Sequence, residues 1–387
     1  SNGLEKRPNL RFPNFDEPWK VFRAEELFKN IADKNHPAET VLTIVQGKGT
    51  LPRENAGRNI HYDNASLSNY KKVEKGDYII HLRSFEGGLE MANEDGIVSP
   101  AYTILRCKKP HSSLFYEAYF HTDEFINHVL SKSVEGIRDG RQISYDAFKW
   151  LGLPYCSLPE QEKISNLFSA LNRRIEKQQQ LVDALKKYKR GVVSAILSHR
   201  IVFSDADGKP YPEWTSCTLQ DAVVFLDGQR KPLESADRAR RQGKYPYYGA
   251  SGIIDYIDDY IFDEPLLLLG EDGANIINRS TPLCFIATGK YWVNNHAHVM
   301  RPQNGHNIKF LCELLESLDY TRYNTGTAQP KLNQEKCRGI EINLPIYEEQ
   351  CRIADFLSSL DQKAEREQAN LDCLLLFKRG LMQQLFI

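Results

Sequence analysis

Apolar residues recur at helical spacing in two segments of forty residues, 158–197 and 347–386. With Ile164 at position a of a heptad, most a, d and e positions of the first segment are apolar, and Ile353 begins the same pattern in the second. The pattern predicts two helices, each about 60 Å long at ~1.5 Å per residue. A stripe that includes position e is wider than a two-stranded seam needs, which indicates contact with more than one helix. The residues expected to pair the helices or to dock a partner are Ile164, Phe168, Leu171, Ile175, Val182, Leu185 and Val192 in the first segment and Ile353, Leu357, Leu360, Leu371, Leu374, Leu381 and Leu385 in the second.

These two segments are also copies of each other. They align without a gap at an offset of 189 residues, with identities that include Gln161 and Gln350 and the Lys-Arg-Gly triplets at 189–191 and 378–380. The chain is therefore predicted to be a duplicated half in which each half ends in one long helix. Antiparallel pairing of the helices would place two similar globular domains at opposite ends, related by a pseudo-two-fold axis.

One pair of polar residues interrupts the stripe at equivalent central positions, Gln178 and Glu367. Either they face water where the stripe drifts, or they set the register of the helices or meet a polar partner. The sequence leaves both interpretations open.

The segments outside the long helices carry short apolar or alternating runs bounded by Gly, Pro, Asp and Asn, which predict β-strands. The predicted strands are 78–82, 97–105, 253–261, 266–269 and 291–300, and shorter helices are predicted at 115–130 and 308–318. The expected fold class is α+β, with two similar mixed α/β domains separated by the helix pair. The predicted boundaries are 1–152 for the first domain, 153–200 for the first helix, 201–341 for the second domain and 342–387 for the second helix.

Composition narrows the class of protein. The 387 residues are 41% apolar and 26% charged, which are ordinary globular values, and the net charge of -1 means that any nucleic-acid binding must come from local patches or a partner. No apolar run approaches the roughly 18 residues of a membrane span, and no signal peptide opens the chain, so a cytoplasmic location without membrane contact is expected. The eight cysteines are scattered, which favours free thiols over a zinc site or a disulfide framework.

Motifs of catalysis are missing from the sequence. It contains no G-x-x-x-x-G-K-[ST] phosphate loop, no G-x-S-x-G elbow, no H-E-x-x-H helix and no Asn/Asp-Pro-Pro-Tyr/Phe loop of an amino-methyltransferase. His296 and His298 share one strand face and could hold a metal, but a packed or hydrogen-bonding pair is preferred. No catalytic residue and no metal ligand are therefore predicted.

Several motifs together resemble one known family. They are GDYIIHLRSFEGG at 76–88, DGIVSPAYTILR at 95–106, YPYYGASGIIDYIDDYIFD at 245–263, GEDGANIINRS at 270–280, KYWVNNHAHV at 290–299 and GTAQPKLN at 326–333. Similar helix starts follow in both halves, at 159–169 and 344–358. Across essentially its whole length, the chain resembles the specificity subunit of type I restriction–modification enzymes.

This resemblance implies a non-catalytic subunit that reads double-stranded DNA. Each recognition domain would read one part of a split, asymmetric target, and the helix pair would fix the unread gap and dock two modification subunits. Restriction subunits would join that complex. No cofactor is implied for this chain, because S-adenosylmethionine would belong to the modification subunits, and ATP and Mg to the restriction subunits.

The candidates for DNA contact are Lys, Arg, Asn and Gln side chains in loops, since cations bind phosphates and these polar groups read base edges. In the first half they are Lys48, Arg53, Arg58, Asn59, Arg83, Ser84, Arg138 and Arg141. In the second half they are Arg230, Lys231, Arg238, Arg240, Arg241, Lys244, Tyr248, Asn275, Arg279, Asn294, Gln329 and Lys331. The basic segment 228–244 is the leading candidate, and the alternative is that it is a solvated surface. Arg106 and Arg301, which the halves share, are expected to hold the scaffold.

Two rival functions stay open on the sequence alone. One is a single-chain nuclease or methylase, which the absence of catalytic motifs disfavours. The other is an adaptor that binds proteins through both domains, which a DNA affinity independent of salt would indicate.

Overall fold

The structure is a computed structural model that describes residues 5–6, 8–56, 64–136, 142–326 and 329–386. The chain forms two compact units. Unit 1 consists of residues 1–180 and 368–387, and unit 2 of residues 181–367. Each unit thus contains a segment from both long helices.

The strands of unit 1 are short. They are β1 (Glu5–Lys6), β2 (Trp19–Arg23), β3 (Phe28–Ile31), β4 (Leu42–Val45), β5 (Gly49–Pro52), β6 (Lys71–Val73), β7 (Tyr78–Ile80), β8 (Glu90–Met91), β9 (Gly96–Val98), β10 (Thr103–Cys107), β11 (Val134–Glu135), β12 (Gln142–Ile143) and β13 (Gly152–Tyr155). The helices are α1 (Ala24–Leu27), α2 (Ser84–Gly87), α3 (Ser113–Phe120), α4 (Tyr145–Phe148) and the long α5 (Leu158–Leu197), whose second half belongs to unit 2. The 3-10 turns are Arg53–Ala56, Asn64–Asn69 and Leu130–Ser133, and Glu124–Val129 is π-helical.

Unit 2 has the remaining strands, β14 (Thr215–Thr218), β15 (Val223–Phe225), β16 (Gln242–Gly249), β17 (Gly252–Ile257), β18 (Phe262–Asp263), β19 (Leu266–Gly270), β20 (Cys284–Ala287), β21 (Lys290–Val293), β22 (Ala297–Pro302) and β23 (Glu341–Leu344). Its helices are α6 (Leu219–Ala222), α7 (Ser235–Arg240), α8 (Asn275–Asn278), α9 (Ile308–Ser317) and α10 (Gln334–Arg338). The long α11 (Tyr347–Phe386) begins in unit 2 and ends in unit 1. The 3-10 turns are Asp227–Gln229 and Thr321–Tyr323.

The two units repeat one antiparallel sheet. Unit 1 has a four-stranded sheet of order β3-β10-β7-β8, and unit 2 has one of order β15-β22-β19-β20. In both units a one-turn helix leads into the first strand, and a strand pair, β2 with β13 or β14 with β23, joins the start of the unit to the start of a long helix. The prediction of two similar α+β domains is confirmed. Unit 2 also has a second four-stranded sheet, of order β17-β16-β21-β18.

Both long helices extend over the forty residues predicted from the repeat. In each unit the segments of α5 and α11 run antiparallel. In unit 2, Lys189 bonds Asp361 while Ile196 packs near Ile353, so residue numbers rise on one helix as they fall on the other. In unit 1, Phe386 stacks on Phe168 with ring centroids 6.1 Å apart.

The apolar stripe of the helices is largely buried, because it completes the core of each unit. Ile164, Phe168, Leu171, Val182, Val192, Ile353, Leu357, Leu371 and Leu385 are buried, and Ile175, Leu185, Leu360, Leu374 and Leu381 are half-buried. The polar Gln178 and Glu367 are both half-buried.

The core of unit 1 depends on residues from distant parts of the sequence. Phe386 is fully buried and contacts the rings of Trp19, Phe115 and Tyr119, as well as Phe168. An aromatic cluster around Phe28, Tyr78, Tyr116 and Phe120 continues this core beneath the sheet. The end of α11 is therefore part of the interior of the first unit.

Three predicted elements are divided in the structure by local hydrogen bonding. Predicted strand 97–105 becomes β9 and β10, because Pro100 lacks a donor and Ser99 O accepts the turn bond of Tyr102 N. Predicted strand 291–300 becomes β21 and β22, because the Asn294 side chain accepts a bond from His296 N. Predicted helix 115–130 ends at Phe120 and continues as a π-helical turn and a 3-10 turn.

Candidate nucleic-acid interface

In unit 1, the β4–β5 hairpin presents Lys48 at its tip. The backbone N atoms of Gly47 and Gly49 donate to the two carboxylate oxygens of buried Glu90, at 2.6 and 2.8 Å. Asn93 Nδ2 donates to the carbonyl oxygens of Lys48 and Thr50, at 2.7 and 3.0 Å. The backbone on both sides of Lys48 is therefore held in place, while its side chain is exposed.

Gly49 is required in this turn for two reasons. Its φ of 76° lies in the left-handed region, and a Cβ atom there would lie 2.5 Å from Met91 O. Any side chain at this position would force the hairpin away from Glu90. The Gly-Lys-Gly sequence is thus a rigid support for one cation.

Glu90 also binds His121, whose Nε2 lies 3.2 Å from the carboxylate. Burial alone would raise the pKa of Glu90, but His121 and the two glycine N–H groups hold it below its usual value. For His121 the effect of burial is the opposite, since it would lower the pKa. The bond to Glu90 outweighs burial, and the pKa of His121 is raised. The pair therefore fixes the hairpin to the helix end that carries His121.

The other candidates of unit 1 differ in their surroundings. Arg83 is exposed, whereas Ser84 is buried and its hydroxyl accepts a bond from His81 N at 2.9 Å. Arg53 is half-buried beside the ring of Tyr70. Arg58, Asn59, Arg138 and Arg141 lie outside the described residues.

In unit 2, the basic segment 228–244 is ordered as a 3-10 turn, helix α7 and the start of β16, so it is not the loop that composition suggested. Several of its cations already have acidic partners from outside the segment. Arg230 Nη1 lies 2.7 Å from Glu271 and also donates to the carbonyl of Ala297 at 2.9 Å. Arg230 is therefore engaged by groups of its own unit.

The same is true of two further arginines. Arg238 bonds Asp255 at 3.1 Å and lies over the ring of Tyr247, and Arg241 bonds Asp258 at 2.8 Å and lies over Trp292. These pairs neutralise much of the positive charge that the segment carries in the sequence. They also fasten α7 to the hairpin formed by β16 and β17.

Three cations of this segment are exposed, Lys231, Arg240 and Lys244. The Arg240 side chain is 81% exposed, and its nearest carboxylate, Asp237, lies 4.0 Å away. Lys244 lies over the ring of Tyr245. Because exposed, weakly paired cations are the groups that can replace counterions on DNA, these three are the strongest phosphate-binding candidates of unit 2.

The remaining candidates of unit 2 are mostly engaged in the fold. Asn275 binds the backbone of Thr281, and Arg279 has a left-handed φ of 50° and bonds Glu316 at 2.8 Å. Asn294 is buried, and the ring of Tyr248 packs against the rings of Phe285 and Tyr291. Gln329 and Lys331 are exposed, and Lys331 lies 3.3 Å from Glu271.

A buried polar network supports this face. Asp227 accepts bonds from Val299 N and Gln334 Nε2 and pairs with His298 Nδ1 at 2.7 Å. Burial alone would lower the pKa of His298, but its bonds to Asp227 and Cys337 raise it to about 10. His296 pairs separately with Asp272 at 2.7 Å, which agrees with the interpretation of this histidine pair as hydrogen-bonding. Among the described residues, no group of three or more His, Cys, Asp or Glu could hold a metal ion.

The sequence did not single out the exposed apolar side chains of β17. Ile253, Ile254 and Tyr256 are 46%, 53% and 49% exposed, although they lie in an apolar strand. Side chains of this kind can contact thymine methyl groups and stack on bases. The consecutive Ile-Ile pair, which breaks strict alternation, was the available signal.

The shared arginines behave as expected of scaffold residues. Arg106 makes a bidentate pair with Asp77 at 2.7 and 2.8 Å, and Arg301 pairs with Glu264. Arg106 thus joins β10 to the residue before β7, and Arg301 joins β22 to the segment before β19. In the part of the chain that the structure describes, no helix is long and apolar enough to cross a membrane.

Part of the chain matches a known protein family. Residues 211–373 match the family model described as the type I restriction modification DNA specificity domain. The match covers nearly all of unit 2 beyond the end of α5, including the segment with the three exposed cations. The resemblance to the specificity subunits of type I restriction–modification enzymes is thereby confirmed.

Individual relatives agree with this class. A putative type I restriction enzyme specificity subunit of Haemophilus influenzae is 33% identical over 149 residues, which are 38% of this chain and 37% of the relative. The EcoprrI specificity subunit of Escherichia coli is 29% identical over 145 residues, 37% of this chain and 35% of that protein. The chain thus matches little more than a third of the length of these curated relatives.

The fold extends the likeness over the whole chain. The S subunit of the type I restriction–modification system of M. genitalium aligns with 98% of this chain and 99% of its own, with a TM-score of 0.57 and 16% sequence identity. A chain from a study of complex assembly in a type I R-M system has a TM-score of 0.56 at 15% identity. The α+β fold of specificity subunits is the fold of this chain.

Proposed function

We propose that this chain is the DNA-reading subunit of a type I restriction–modification enzyme. Each unit would read one part of a split, asymmetric target on double-stranded DNA. The observation that supports this most is that two units repeat one sheet order, while their surface segments differ. Repeated scaffolds with different exposed cations are suited to reading two different sequences.

The two faces differ in how they present charge. Unit 1 would contact DNA through Lys48 on its clamped hairpin, together with exposed Arg83. Unit 2 would use Lys231, Arg240 and Lys244, with the exposed apolar residues of β17 beside them. Phosphate contacts give affinity without sequence choice, so base selection would depend on the divergent segments around these cations.

The long helices would dock two modification subunits, and restriction subunits would join the complex. Exposed apolar side chains on the outer face of α11 support this docking, since Leu376 and Phe377 are 65% and 58% exposed. The chain itself would perform no catalysis. S-adenosylmethionine would be bound by the modification subunits, ATP and Mg by the restriction subunits, and the complex would act in the cytoplasm.

The decisive experiment reconstitutes the full chain with the modification subunit of its own system. Mapping methylated adenines in cells that carry the system gives the target, and binding of that target and of a scrambled duplex is then measured at several salt concentrations. We expect tighter binding of the target and a steep fall of log affinity with log salt. Equal binding of both duplexes, or a slope near zero, would contradict the proposal.

A further inference from the structure

The repeat allows the two units to be compared residue by residue where the long helices contact α3 in unit 1 and α9 in unit 2. Gln161 and Gln350 are equivalent, and their side-chain oxygens accept bonds from Ser112 N and Asn307 N, at 3.0 and 2.8 Å. Ser112 and Asn307 directly precede α3 and α9. Helices α3 and α9 therefore start at equivalent positions of their units, and the residues along them can be matched in order from Ser112 and Asn307.

In unit 2 this junction holds a closed cluster of four charges. Lys189 lies 2.7 Å from both Glu313 and Asp361, and Lys309 lies 2.9 and 2.7 Å from the same two carboxylates. Each lysine thus bonds both acids, and the charges balance. The cluster joins α5, α9 and α11, and the cavity beside it measures only about 10 Å³.

In unit 1 only one member of the cluster is retained. Lys378 matches Lys189 through the Lys-Arg-Gly triplet, but Asp361 is matched by Asn172, Glu313 by Ala118 and Lys309 by Leu114. Among the described residues, no carboxylate forms an ion pair with Lys378 within 4.0 Å. Unit 1 has therefore kept the lysine of the cluster, Lys378, but not the two acidic residues that bind its counterpart in unit 2.

The missing side chains leave space. A cavity of about 450 Å³ is lined by residues that include Lys378, Asn172, Ala118, Leu114 and Leu375. Burial lowers the pKa of Lys378, while Glu117, also in the wall, raises it only in part. Burial raises the pKa of Glu117. Both side chains are half-buried, and neither has an ion-pair partner within 4.0 Å in the part of the chain that the structure describes, which is unfavourable unless another molecule supplies one.

We propose that this cavity receives an acidic side chain of a docked protein chain, whose carboxylate bonds Lys378 as Asp361 and Glu313 bond Lys189. The proposal rests on the proposed function, because the docked chain is one of the modification subunits. The two docking sites would then be unequal, because in unit 2 the corresponding lysine, Lys189, already bonds Glu313 and Asp361.

Two observations favour a protein carboxylate over a DNA phosphate. The chemistry that neutralises the equivalent lysine in unit 2 is carboxylate at 2.7 Å. The lining is mixed: two exposed leucines, Leu114 and Leu375, and two carboxylates, Glu117 and Glu176, lie with the cations Lys378, Arg173 and Arg379. Apolar side chains beside a cation suit an amphipathic protein segment, whereas phosphate-binding surfaces are polar and strongly basic.

The first test restores the missing acid. Asn172→Asp supplies the carboxylate that Asp361 supplies in unit 2, with almost no change in volume, and Asn166→Asp adds the same charge to an exposed position of the same helix. Native mass spectrometry of the full chain with its modification subunit would count bound copies over a dilution series. We expect Asn172→Asp to weaken one of the two binding steps by about tenfold and Asn166→Asp to leave both unchanged.

Other outcomes of this test overturn the inference. If both variants assemble like the wild type, the cavity does not receive a modification subunit. If Asn172→Asp lowers affinity for DNA while assembly is unchanged, the cavity takes a phosphate. Self-association of the chain alone, abolished by Asn172→Asp, would identify a second copy as the occupant.

A second test uses the full chain alone, so that it stands even if the proposed function fails. Acetate serves as the carboxylate probe at constant ionic strength, with chloride as the reference salt. We expect acetate to raise the melting temperature of the wild type by about 1–2 °C, and not that of Lys378→Met. Equal shifts in both proteins would refute the inference, whereas a wild type that binds no modification subunit would refute the proposed function.

Discussion

Gln350 Oε1 accepts a hydrogen bond from Asn307 N at 2.8 Å, while its amide nitrogen donates to Pro345 O at 2.9 Å. The equivalent Gln161 makes the same two bonds, to Ser112 N and Cys156 O. Both glutamines are buried. One side chain therefore fixes the start of each long helix against the helix of its own domain.

Removing this side chain should destabilise the unit that contains it. In Gln350→Ala, the half-buried N–H of Asn307 and the buried carbonyl of Pro345 lose their partner, and we expect the free energy of unfolding to fall by about 2–4 kcal/mol. Urea denaturation measures this change. Gln362→Ala, at an exposed position of the same helix, should change stability by less than about 0.5 kcal/mol, and equal effects of both variants would contradict the clamp.

The apolar stripe predicts a second contrast in stability. Leu357 is 2% exposed in the core of unit 2, so Leu357→Ala should cost about 2–5 kcal/mol. Introducing a charge at buried Leu171 or half-buried Leu360, as Asp, should likewise lower stability by several kcal/mol, more at Leu171. Leu376→Ala is the matched control, because Leu376 is 65% exposed. Melting curves that rank the variants otherwise would mean that the stripe is not core.

The exposed cations predict how DNA binding responds to single substitutions. Arg240→Ala should weaken binding of the assembled enzyme and reduce the slope of log affinity against log salt by about one, with stability unchanged. Arg241→Ala should also lower stability, since Arg241 bonds Asp258 and lies over Trp292. Lys209→Ala, in the exposed turn between the halves, is the control for charge alone. Dissociation of the modification subunits from Arg240→Ala with DNA affinity intact would show that α7 faces a protein partner.

The bonds from Glu90 to the β4–β5 hairpin predict that Glu90 and Lys48 are coupled in DNA binding. If Glu90 acts by positioning Lys48, Glu90→Gln and Lys48→Ala should each reduce the salt slope by about one, and the double variant should reduce it no further. Filter binding or fluorescence anisotropy over a salt series gives the three slopes. Additive losses would mean that Glu90 acts on DNA binding independently of Lys48, and an unchanged slope in Glu90→Gln would mean that Glu90 matters only for the stability of the unit.

The buried His298–Asp227 pair predicts a dependence of stability on pH. The pKa of His298 is raised to about 10 in the folded chain, whereas an unfolded histidine titrates near 6.5. The stabilisation is therefore complete below about pH 6.5 and is lost as the pH rises toward 10. The wild type should unfold at lower urea at pH 9.5 than at pH 6.5, and His298→Gln should be less stable at pH 6.5 with a flatter profile. Parallel profiles would exclude the charged pair.

Much of the fold could be predicted from the sequence because its strongest signals are periodic and repeated. The bounds of α5 and α11 agree with the aligned segments, since a gapless repeat fixes both ends at once. The divided elements could not be predicted, because side chains such as Asn294 satisfy the backbone locally and end the strand. Apolar pattern alone does not report such bonds.

The candidate site was predicted less well, since charge in the sequence does not say which charges are already paired. Arg230 and Arg238 belong to a basic segment, yet their partners Glu271 and Asp255 lie 41 and 17 residues away. Glu90 carried no signal at all, because its role comes from two glycine N–H groups more than forty residues earlier. Long-range pairing decides which cations stay available for DNA.

The burial of Phe386 has a consequence for how the chain is made. The ring completes the interior around Trp19, Phe115 and Phe168, so these residues leave the ribosome long before their final neighbour exists. Synthesis of the intervening stretch after Phe168 takes roughly 10–40 s at the usual rate of elongation. During that interval the aromatic side chains that Phe386 will cover stay exposed, and exposed apolar surface of this kind makes folding intermediates prone to aggregation.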